Sequence, residues 1–276
     1  MTVPEGVALG VVQGLTEFLP VSSSGHLALA ESLLGVHTPG VRFEVLVHLA
    51  TALAVILYFR RRIGAVLAAL AGWPFRRRSQ AGPGAGARDA ERAADARLGL
   101  NLALGTVPAA VVGYLFESRV EAAFDDPRLV SALLIVTGFI LWATRLVRRP
   151  GRATETWRDA LLVGAGQAVA VLPGISRSGT TIATGLLAGL DRRRAAEFGF
   201  LLSVPIILGA GAVGLGGAVR EGTLGVADGV GAATAFICAL PAIAVLMRVA
   251  IAGRIHLFSW YCWAVGAAGV VLTTIR

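Results

Sequence analysis

Long apolar runs separated by short polar loops dominate the sequence. A helix needs about 20 residues to cross roughly 30 Å of hydrocarbon. Runs of that length with few charged positions predict six transmembrane helices, at about 41–59, 98–116, 129–147, 198–219, 229–247 and 255–275. The pattern therefore predicts an all-α polytopic membrane protein.

Two further apolar stretches, 6–36 and 160–190, are interrupted near their middle. The interruptions, 19–25 and 172–179, combine proline, serine and glycine. A proline stops one helix, and a hydroxyl side chain after it can cap the next. Each stretch is therefore predicted to be a re-entrant helix–loop–helix hairpin. A short interfacial helix is expected at 63–75.

The charges of the loops predict the orientation of the spans. The 60–97 connection carries nine arginines against three acidic residues, and 145–158 carries five against one. The 117–128 loop is acidic instead. Because basic loops stay in the cytoplasm, 60–97 and 145–158 are predicted to be cytoplasmic. The two hairpins then enter the membrane from opposite sides.

The two halves of the chain follow one plan, a hairpin and then three spans. Gln13 precedes Gly25 by twelve residues, and Gln167 precedes Gly179 by twelve. We expect a single integral membrane domain, 1–276, built as an inverted-topology repeat. Repeat 1 covers about 1–147, with a cytoplasmic linker at about 76–97, and repeat 2 covers about 155–276. Such repeats build a site where their interrupted helices meet.

Composition supports the membrane class and limits the partners. Only 15% of residues are charged and 55% are hydrophobic, whereas soluble domains carry about 25% charged residues. The net charge of +8 comes from arginines in short runs between spans, which is the positive-inside pattern and not a nucleic-acid surface. No nucleic-acid partner is expected. Cys238 and Cys262 lie in apolar runs and are interpreted as packing residues.

The first hairpin loop carries Gln13, Glu17, two serines and His26. Gln13 and Glu17 are four apart and share a helix face, and an ionisable residue at membrane depth is a functional candidate. Ser22 and Ser23 precede His26 by four and three residues, so either hydroxyl is expected near the imidazole. The alternative is that Glu17 and His26 only tie the half-helices together.

The second hairpin loop places Arg177 between two serines just before a helix. A guanidinium, hydroxyls and a helix N-terminus together make a good phosphate receptor. The expected substrate-binding residues are Ser22, Ser176, Arg177, Ser178 and Thr181. The alternative is an arginine held by backbone carbonyls as a structural pin. His48 shares a helix face with Glu44, and the pair is interpreted as packing.

At these two motifs the sequence resembles the undecaprenyl-diphosphate phosphatases, the bacitracin-resistance proteins. The first motif is matched from Gln13 to His26 and the second from Pro173 to Thr181. The similarity extends to Phe43–Phe59 and Asp191–Pro205. Gln13 stands where the family also admits Glu.

The resemblance implies an enzyme that hydrolyses undecaprenyl diphosphate to the monophosphate, recycles the lipid carrier for cell-wall synthesis and confers bacitracin resistance. It implies a multi-pass protein of the bacterial inner membrane, activated by a divalent cation, Mg²⁺ or Ca²⁺. Gln13 and Glu17 are the expected metal ligands. The partners are the bilayer and a polyprenyl diphosphate; the oligomeric state is left open, a homodimer included.

The expected catalytic residues are Glu17, Ser23, His26 and Arg177. Ser23 is the candidate nucleophile, with His26 taking its proton, and Glu17 either orients His26 or binds the cation. Attack by His26 itself or by a metal-activated water stays open. A secondary transporter or flippase for a phosphorylated lipid is the alternative function, because inverted repeats with broken helices are typical of transporters.

Overall fold

The computed structural model describes residues 1–34, 42–76, 86–147, 151–220 and 225–275, which form helices and no β-strand. The helices are α1 Val3–Thr16, α2 Ser23–Leu34, α3 Arg42–Tyr58, α4 Arg60–Arg76, α5 Ala87–Leu115, α6 Glu117–Phe124, α7 Pro127–Ala143, α8 Trp157–Val169, α9 Arg177–Leu187, α10 Arg192–Arg220, α11 Val226–Ile251 and α12 Phe258–Ile275. Short 3₁₀ turns, Thr144–Leu146 and Ile255–Leu257, follow α7 and precede α12.

Five of the six predicted spans are found as single helices, and the span predicted at 41–59 corresponds to α3. α5, α7, α10, α11 and α12 are long and apolar enough to cross a membrane, the 3₁₀ turns included. α3 and α4 make the sixth span if taken together, and they are bent by 82° at Tyr58–Arg60. The helix expected at 63–75 is thus α4, which turns away from the direction of α3.

The boundary predicted for the second span is wrong by eleven residues, because α5 starts at Ala87. Alanine, arginine and glutamate all favour helix, but the charged residues lower the hydropathy of 87–97, so the apolar pattern misses this extension. Residues 87–97 of the expected linker are therefore helical, and 77–85 lie outside the described residues. The short helix α6 was not anticipated.

Both hairpins are interrupted where the sequence indicated. α1 ends at Thr16 and α2 begins at Ser23; α8 ends at Val169 and α9 begins at Arg177. Each loop contains a residue with left-handed backbone, Ser22 with φ +68° and Gly174 with φ +93°. Glycine adopts this conformation freely, whereas serine does so at a cost. The strained backbone of Ser22 thus lies directly before the candidate nucleophile Ser23.

The two halves pack into each other in the way that an inverted repeat requires. The first arm of each hairpin packs on the second span of the other half, α1 against α11 and α8 against α5. Gly10 faces the carbonyl oxygen of Gly231, and Gly164 faces that of Gly105. Gly164 follows Gly10 by 154 residues, the same offset that separates Gln167 from Gln13 (167 − 13 = 154). Small residues let these backbones approach closely.

Ion pairs join the helix ends at the face predicted to be cytoplasmic. Arg62 pairs with Asp95, linking α4 to α5. Arg194 lies 2.5 Å from Glu155, so the charge of the three consecutive arginines at 192–194 is partly neutralised. Arg152 binds both carboxylate oxygens of Asp159 at 2.9 Å. These ion pairs fix the start of α8 and thereby the position of the second hairpin.

We expect Gly10→Ala to lower the melting temperature and the yield of folded protein, because an added methyl group would overlap the Gly231 carbonyl and push α1 away from α11. Gly113→Ala in α5 is the matched control, since nothing lies within 4 Å of a methyl group there. Alanine also favours helix over glycine by about 1 kcal/mol. Thermal unfolding in detergent that shows equal stability for both variants would contradict the close-packing role.

Candidate active site

The two hairpin loops are joined by an ion pair between Glu17 and Arg177. The Arg177 Nη2 donates to Oε1 of Glu17, although 160 residues separate them. The Glu17 carboxylate is buried, with 2% of its side chain exposed. Taking a carboxylate out of water is costly unless it is paired. The pair therefore holds the two motifs together and makes one polar centre of them.

The second carboxylate oxygen of Glu17 collects the remaining polar groups of the first motif. Oε2 accepts hydrogen bonds from Gln13 Nε2 at 3.0 Å and from the Ser23 hydroxyl at 2.5 Å. His48 Nε2 lies 3.4 Å from the same oxygen. Ser23 is thus oriented by a carboxylate, and its hydroxyl hydrogen points at Glu17.

The sequence predicts that the Ser23 hydroxyl contacts the His26 imidazole, but in the structure the two side chains have other partners. His26 Nδ1 lies 2.8 Å from the backbone oxygen of Ser22, and Nε2 lies 2.7 Å from the hydroxyl of Tyr261. The two rings also stack, 5.6 Å apart. Because α2 begins at Ser23, the imidazole one turn later reaches the Ser22 carbonyl and not the Ser23 side chain. The expectation that Glu17 orients His26 fails for the same reason.

The second motif is built around the N-terminus of α9. The Ser176 hydroxyl accepts a hydrogen bond from the Gly179 N–H at 3.2 Å and caps the helix. Thr137 of α7 supports the loop: its hydroxyl donates to the Gly174 carbonyl at 2.8 Å and accepts from the Ser176 N–H at 3.0 Å. Arg177, the first residue of α9, is thereby fixed beside the loop of the first hairpin.

A cavity of about 290 Å³ opens beside this centre. Glu17, Ser23 and Arg177 lie at its polar end, together with Ser22 and Ser176. Ser24, Glu44, His48 and Gln167 also line it, and the rest of its wall is apolar and comes from the following residues: Val45, Ala109, Phe124, Ala170, Val171, Leu172, Ile175, Ile206, Ile207, Ala210 and Gly211. A polar head with an attached hydrocarbon would be matched by these two surfaces.

Two of the expected substrate-binding residues are used differently. The Thr181 hydroxyl donates to the Arg177 backbone carbonyl at 2.9 Å, inside its own helix. Ser178 donates to the Leu19 carbonyl at 3.4 Å and lines a smaller cavity, to which Glu17 and Arg177 also contribute. Thr181 follows Arg177 by one helical turn, so its hydroxyl reaches the Arg177 carbonyl, whereas Ser178, the next residue after Arg177, is rotated by about 100° around α9.

Sequence reasoning missed residues from outside the two motifs. His48 was interpreted as packing, yet it lines the cavity and approaches Glu17, while its Nδ1 lies 2.7 Å from the Glu44 carbonyl. Thr137 and Tyr261 had no local pattern to mark them. Gln167 also lines the cavity, and its place in the internal repeat was the one signal available.

The residues present fit a hard divalent cation at one point. Among the described residues, no group of three or more His, Cys, Asp or Glu is arranged around a common metal position. However, Gln13 Oε1 is buried beside Glu17 with no hydrogen-bond partner among those residues. Mg²⁺ and Ca²⁺ prefer oxygen ligands and accept several from water or phosphate. Gln13 and Glu17 would hold such an ion with substrate oxygens completing its shell.

Comparison with known proteins gives one consistent result. The family model described as "Bacitracin resistance protein BacA" matches residues 6–268. The undecaprenyl-diphosphatase of Desulforapulum autotrophicum is 40% identical over 275 residues, 98% of each chain. That of Desulfosudis oleivorans is 43% identical over 274 residues, 97% of each chain. That of Gemmatimonas aurantiaca is 40% identical over 263 residues, 95% of this chain and 94% of the relative.

The Glu17–Arg177 pair predicts a double-mutant cycle with strong coupling. Glu17→Gln and Arg177→Gln should each lower the melting temperature, because either change leaves a buried charge unpaired, which costs about 3–5 kcal/mol. The double variant should lose less than the sum of the two. Thermal unfolding in detergent measures this, and additive losses would show that the two side chains do not stabilise the contact between hairpins.

Proposed function

The chain belongs to the bacitracin resistance protein family, and on that premise we propose that it hydrolyses undecaprenyl diphosphate to undecaprenyl phosphate and inorganic phosphate. The observation that carries the proposal is the meeting of Glu17, Ser23 and Arg177 at the polar end of a cavity with apolar walls. This activity would recycle the lipid carrier for cell-wall synthesis and give resistance to bacitracin.

The diphosphate would bind at the polar end of the cavity. One nitrogen of the Arg177 guanidinium is engaged by Glu17, which leaves other N–H groups for phosphate oxygens. A planar guanidinium binds phosphate in a bidentate manner and neutralises the charge that develops as the anhydride bond breaks. Ser176 and Ser22 add hydroxyl donors, and the polyprenyl chain would follow the apolar walls.

Ser23 is the nucleophile in this proposal. Its oxygen attacks the terminal phosphorus, the bond from that phosphorus to the bridging oxygen breaks, and undecaprenyl phosphate leaves. Glu17 accepts the hydroxyl proton, because the 2.5 Å hydrogen bond already points it there. Water then attacks the phosphoserine and releases inorganic phosphate. His26 stabilises the Ser22 turn instead of serving as the base, which revises the role expected from sequence.

A divalent cation bound by Gln13 and Glu17 would supply charge neutralisation for the phosphate oxygens. The same residues orient Ser23 through Glu17, so metal binding and nucleophile orientation involve one carboxylate. Phosphate oxygens and water would complete the shell of the ion, as hard cations require.

The site would face the outer side of the bacterial inner membrane. Several cavity-lining residues lie near the beginning of α3, in α6 and in the second half of α10. With the basic 60–97 and 145–158 segments in the cytoplasm, those parts of the helices point outward. A diphosphate lipid of the outer leaflet would then reach the site with its head in water and its tail in lipid.

Release of phosphate from purified undecaprenyl diphosphate by the purified chain in detergent tests the proposal. A single-chain phosphatase should turn over repeatedly, and boiled protein is the control. If the protein binds the lipid but releases no phosphate with Mg²⁺ or Ca²⁺ present, the function is not hydrolysis. A transporter or flippase, which the inverted-repeat packing also suits, would then be the better interpretation.

Arg177→Lys should lose at least about 100-fold in kcat/KM, although the positive charge is kept. An ammonium group is a point charge that cannot pair with Glu17 and present a fork of donors to phosphate at the same time. Kinetics of phosphate release measure this, with thermal unfolding as the folding control. A folded lysine variant of near wild-type activity would contradict the phosphate-binding role.

Ser23→Ala should lower kcat by at least about 1000-fold, whereas Ser22→Ala should lower it by about ten-fold or less. Without its nucleophile the enzyme cannot form the covalent intermediate, whereas loss of one auxiliary hydrogen-bond donor only slows the reaction. Acid quench after brief incubation with labelled substrate should trap phosphate on Ser23. Label on His26, or substantial turnover by Ser23→Ala, would show that another group attacks.

Gln13 variants test the metal ligands without removing the buried ion pair. Gln13→Glu should remain active and need less Mg²⁺ for half-maximal activity, because a carboxylate binds a hard cation more tightly than an amide oxygen. Gln13→Leu should need several-fold more. Activity measured across Mg²⁺ and Ca²⁺ titrations decides this, and identical titration curves for all three proteins would mean that Gln13 does not bind the ion.

A further inference from the structure

A second cavity, of about 240 Å³, lies at the end of the bundle predicted to be cytoplasmic and shares no lining residue with the active-site cavity. The two 3₁₀ turns, the first residue of α10 and the end of α11 surround it. Its charged or titratable residues are Arg145, Arg192 and His256, and its lining contains no Asp or Glu. The cavity is therefore electropositive.

The two arginines are held in place without a carboxylate partner among the described residues. The Arg145 guanidinium lies over the Trp142 ring at 4.2 Å. The Arg192 guanidinium packs directly over Gly253, where even a methyl group would overlap it. Other arginines of this face, such as Arg152 and Arg194, do bind carboxylates. The charges of Arg145 and Arg192 therefore face the cavity without a carboxylate of the described residues to neutralise them.

The surface beside the cavity is suited to lipid. Leu146, Leu257 and Trp260 are exposed next to it, and Trp260 packs edge-on against Trp142 at 5.6 Å. Tryptophan favours the level of the lipid headgroups in a membrane. A molecule with an anionic head and apolar chains would place its head between the arginines and its chains along these side chains.

We propose that this cavity binds the phosphate of an anionic phospholipid of the cytoplasmic leaflet. Basic pockets between transmembrane helices on this side bind such headgroups, and each arginine near an anionic surface contributes appreciably to the attraction. The site is separate from the proposed diphosphatase site and does not depend on it.

Lipid retention measured by native mass spectrometry tests the proposal, with dioleoyl phosphatidylglycerol as the probe and dioleoyl phosphatidylethanolamine as the net-neutral reference. The double variant Arg145→Gln/Arg192→Gln should retain phosphatidylglycerol at least about ten-fold more weakly. Arg158→Gln is the matched control, because Arg158 also stacks on a tryptophan, Trp157, at 5.3 Å but does not line the cavity. The control should bind as the wild type does.

Three outcomes would overturn the assignment. They are equal retention by the double variant and the wild type, equal loss in Arg158→Gln, and equal retention of the two lipids by the wild type. Displacement of the lipid by millimolar inorganic phosphate would identify a site for free phosphate instead of a headgroup. An unchanged melting temperature shows that the double variant is folded.

A different observation concerns Gln167 of α8, the counterpart of Gln13 in the second hairpin. The residue is part of the active-site cavity lining, and it is 1% exposed. Neither its amide nitrogen nor its amide oxygen has a hydrogen-bond partner among the described residues. A buried amide without partners destabilises the free protein. Such a group is expected to find its partners in a ligand.

We infer, on the basis of the proposed function, that Gln167 is a further substrate-binding residue that donates its amide N–H groups to a phosphate oxygen of the lipid diphosphate. Gln13 uses the same group on the Glu17 carboxylate in the first hairpin. The internal repeat thus presents one amide to the active-site carboxylate and the other to the substrate anion.

Gln167→Leu tests this by opposite effects on stability and binding. Replacing an unpartnered buried amide by an apolar side chain of similar size should leave the melting temperature unchanged or raise it. KM for undecaprenyl diphosphate should rise about ten-fold or more, with a smaller change in kcat. Gln167→Glu should raise KM further, because its charge repels the diphosphate.

A wild-type KM in Gln167→Leu would overturn the assignment, and a lowered melting temperature with unchanged KM would indicate a purely structural role. Failure of the wild-type protein to release phosphate would count against the proposed function and not against Gln167 alone. The two failures are therefore distinguishable in one set of measurements.

Discussion

The ion pair between Glu17 and Arg177 is the interaction on which the rest of the site depends. A carboxylate buried between helices is stable only when its charge is matched, and here the match comes from the other half of the chain. Both hairpins must therefore be inserted and packed before either charge is satisfied. The same pairing brings the serine of one loop to the arginine of the other, so folding and assembly of the active site are one event.

Close helix packing makes that contact geometrically feasible. α1 and α8 approach α11 and α5 through glycines that face backbone carbonyls, with no space for a side chain. In lipid, helices associate through such close contacts, because burial of apolar surface gives little driving force there. Glycines such as Gly10 and Gly164 thus allow the two interrupted helices to pack closely enough for their loops to meet.

Within the site, the position of Ser23 at the start of α2 decides which group its hydroxyl contacts. The three-residue spacing between Ser23 and His26 predicts that their side chains lie one helical turn apart on the same side. Ser23, however, is the first residue of α2. The His26 ring reaches back to the Ser22 carbonyl instead, and the Ser23 hydroxyl turns to Glu17. Sequence spacing predicts shared faces within a helix, whereas a hydroxyl at a helix start takes its partner from the loop before it.

The sequence by itself determined the membrane class, five of the apolar spans, the two interrupted hairpins and the two motifs, because hydropathy, proline–serine–glycine breaks and charged residues within apolar stretches are local properties. Only the tertiary structure decided that Arg177 pairs with Glu17, that His48 and Gln167 line the same cavity, and that Thr137 supports the second loop. It also decided that the hydroxyls of Ser178 and Thr181 donate to backbone carbonyls. Those contacts join residues up to 160 positions apart. No local pattern encodes them, since they follow from how the two halves pack through their small residues.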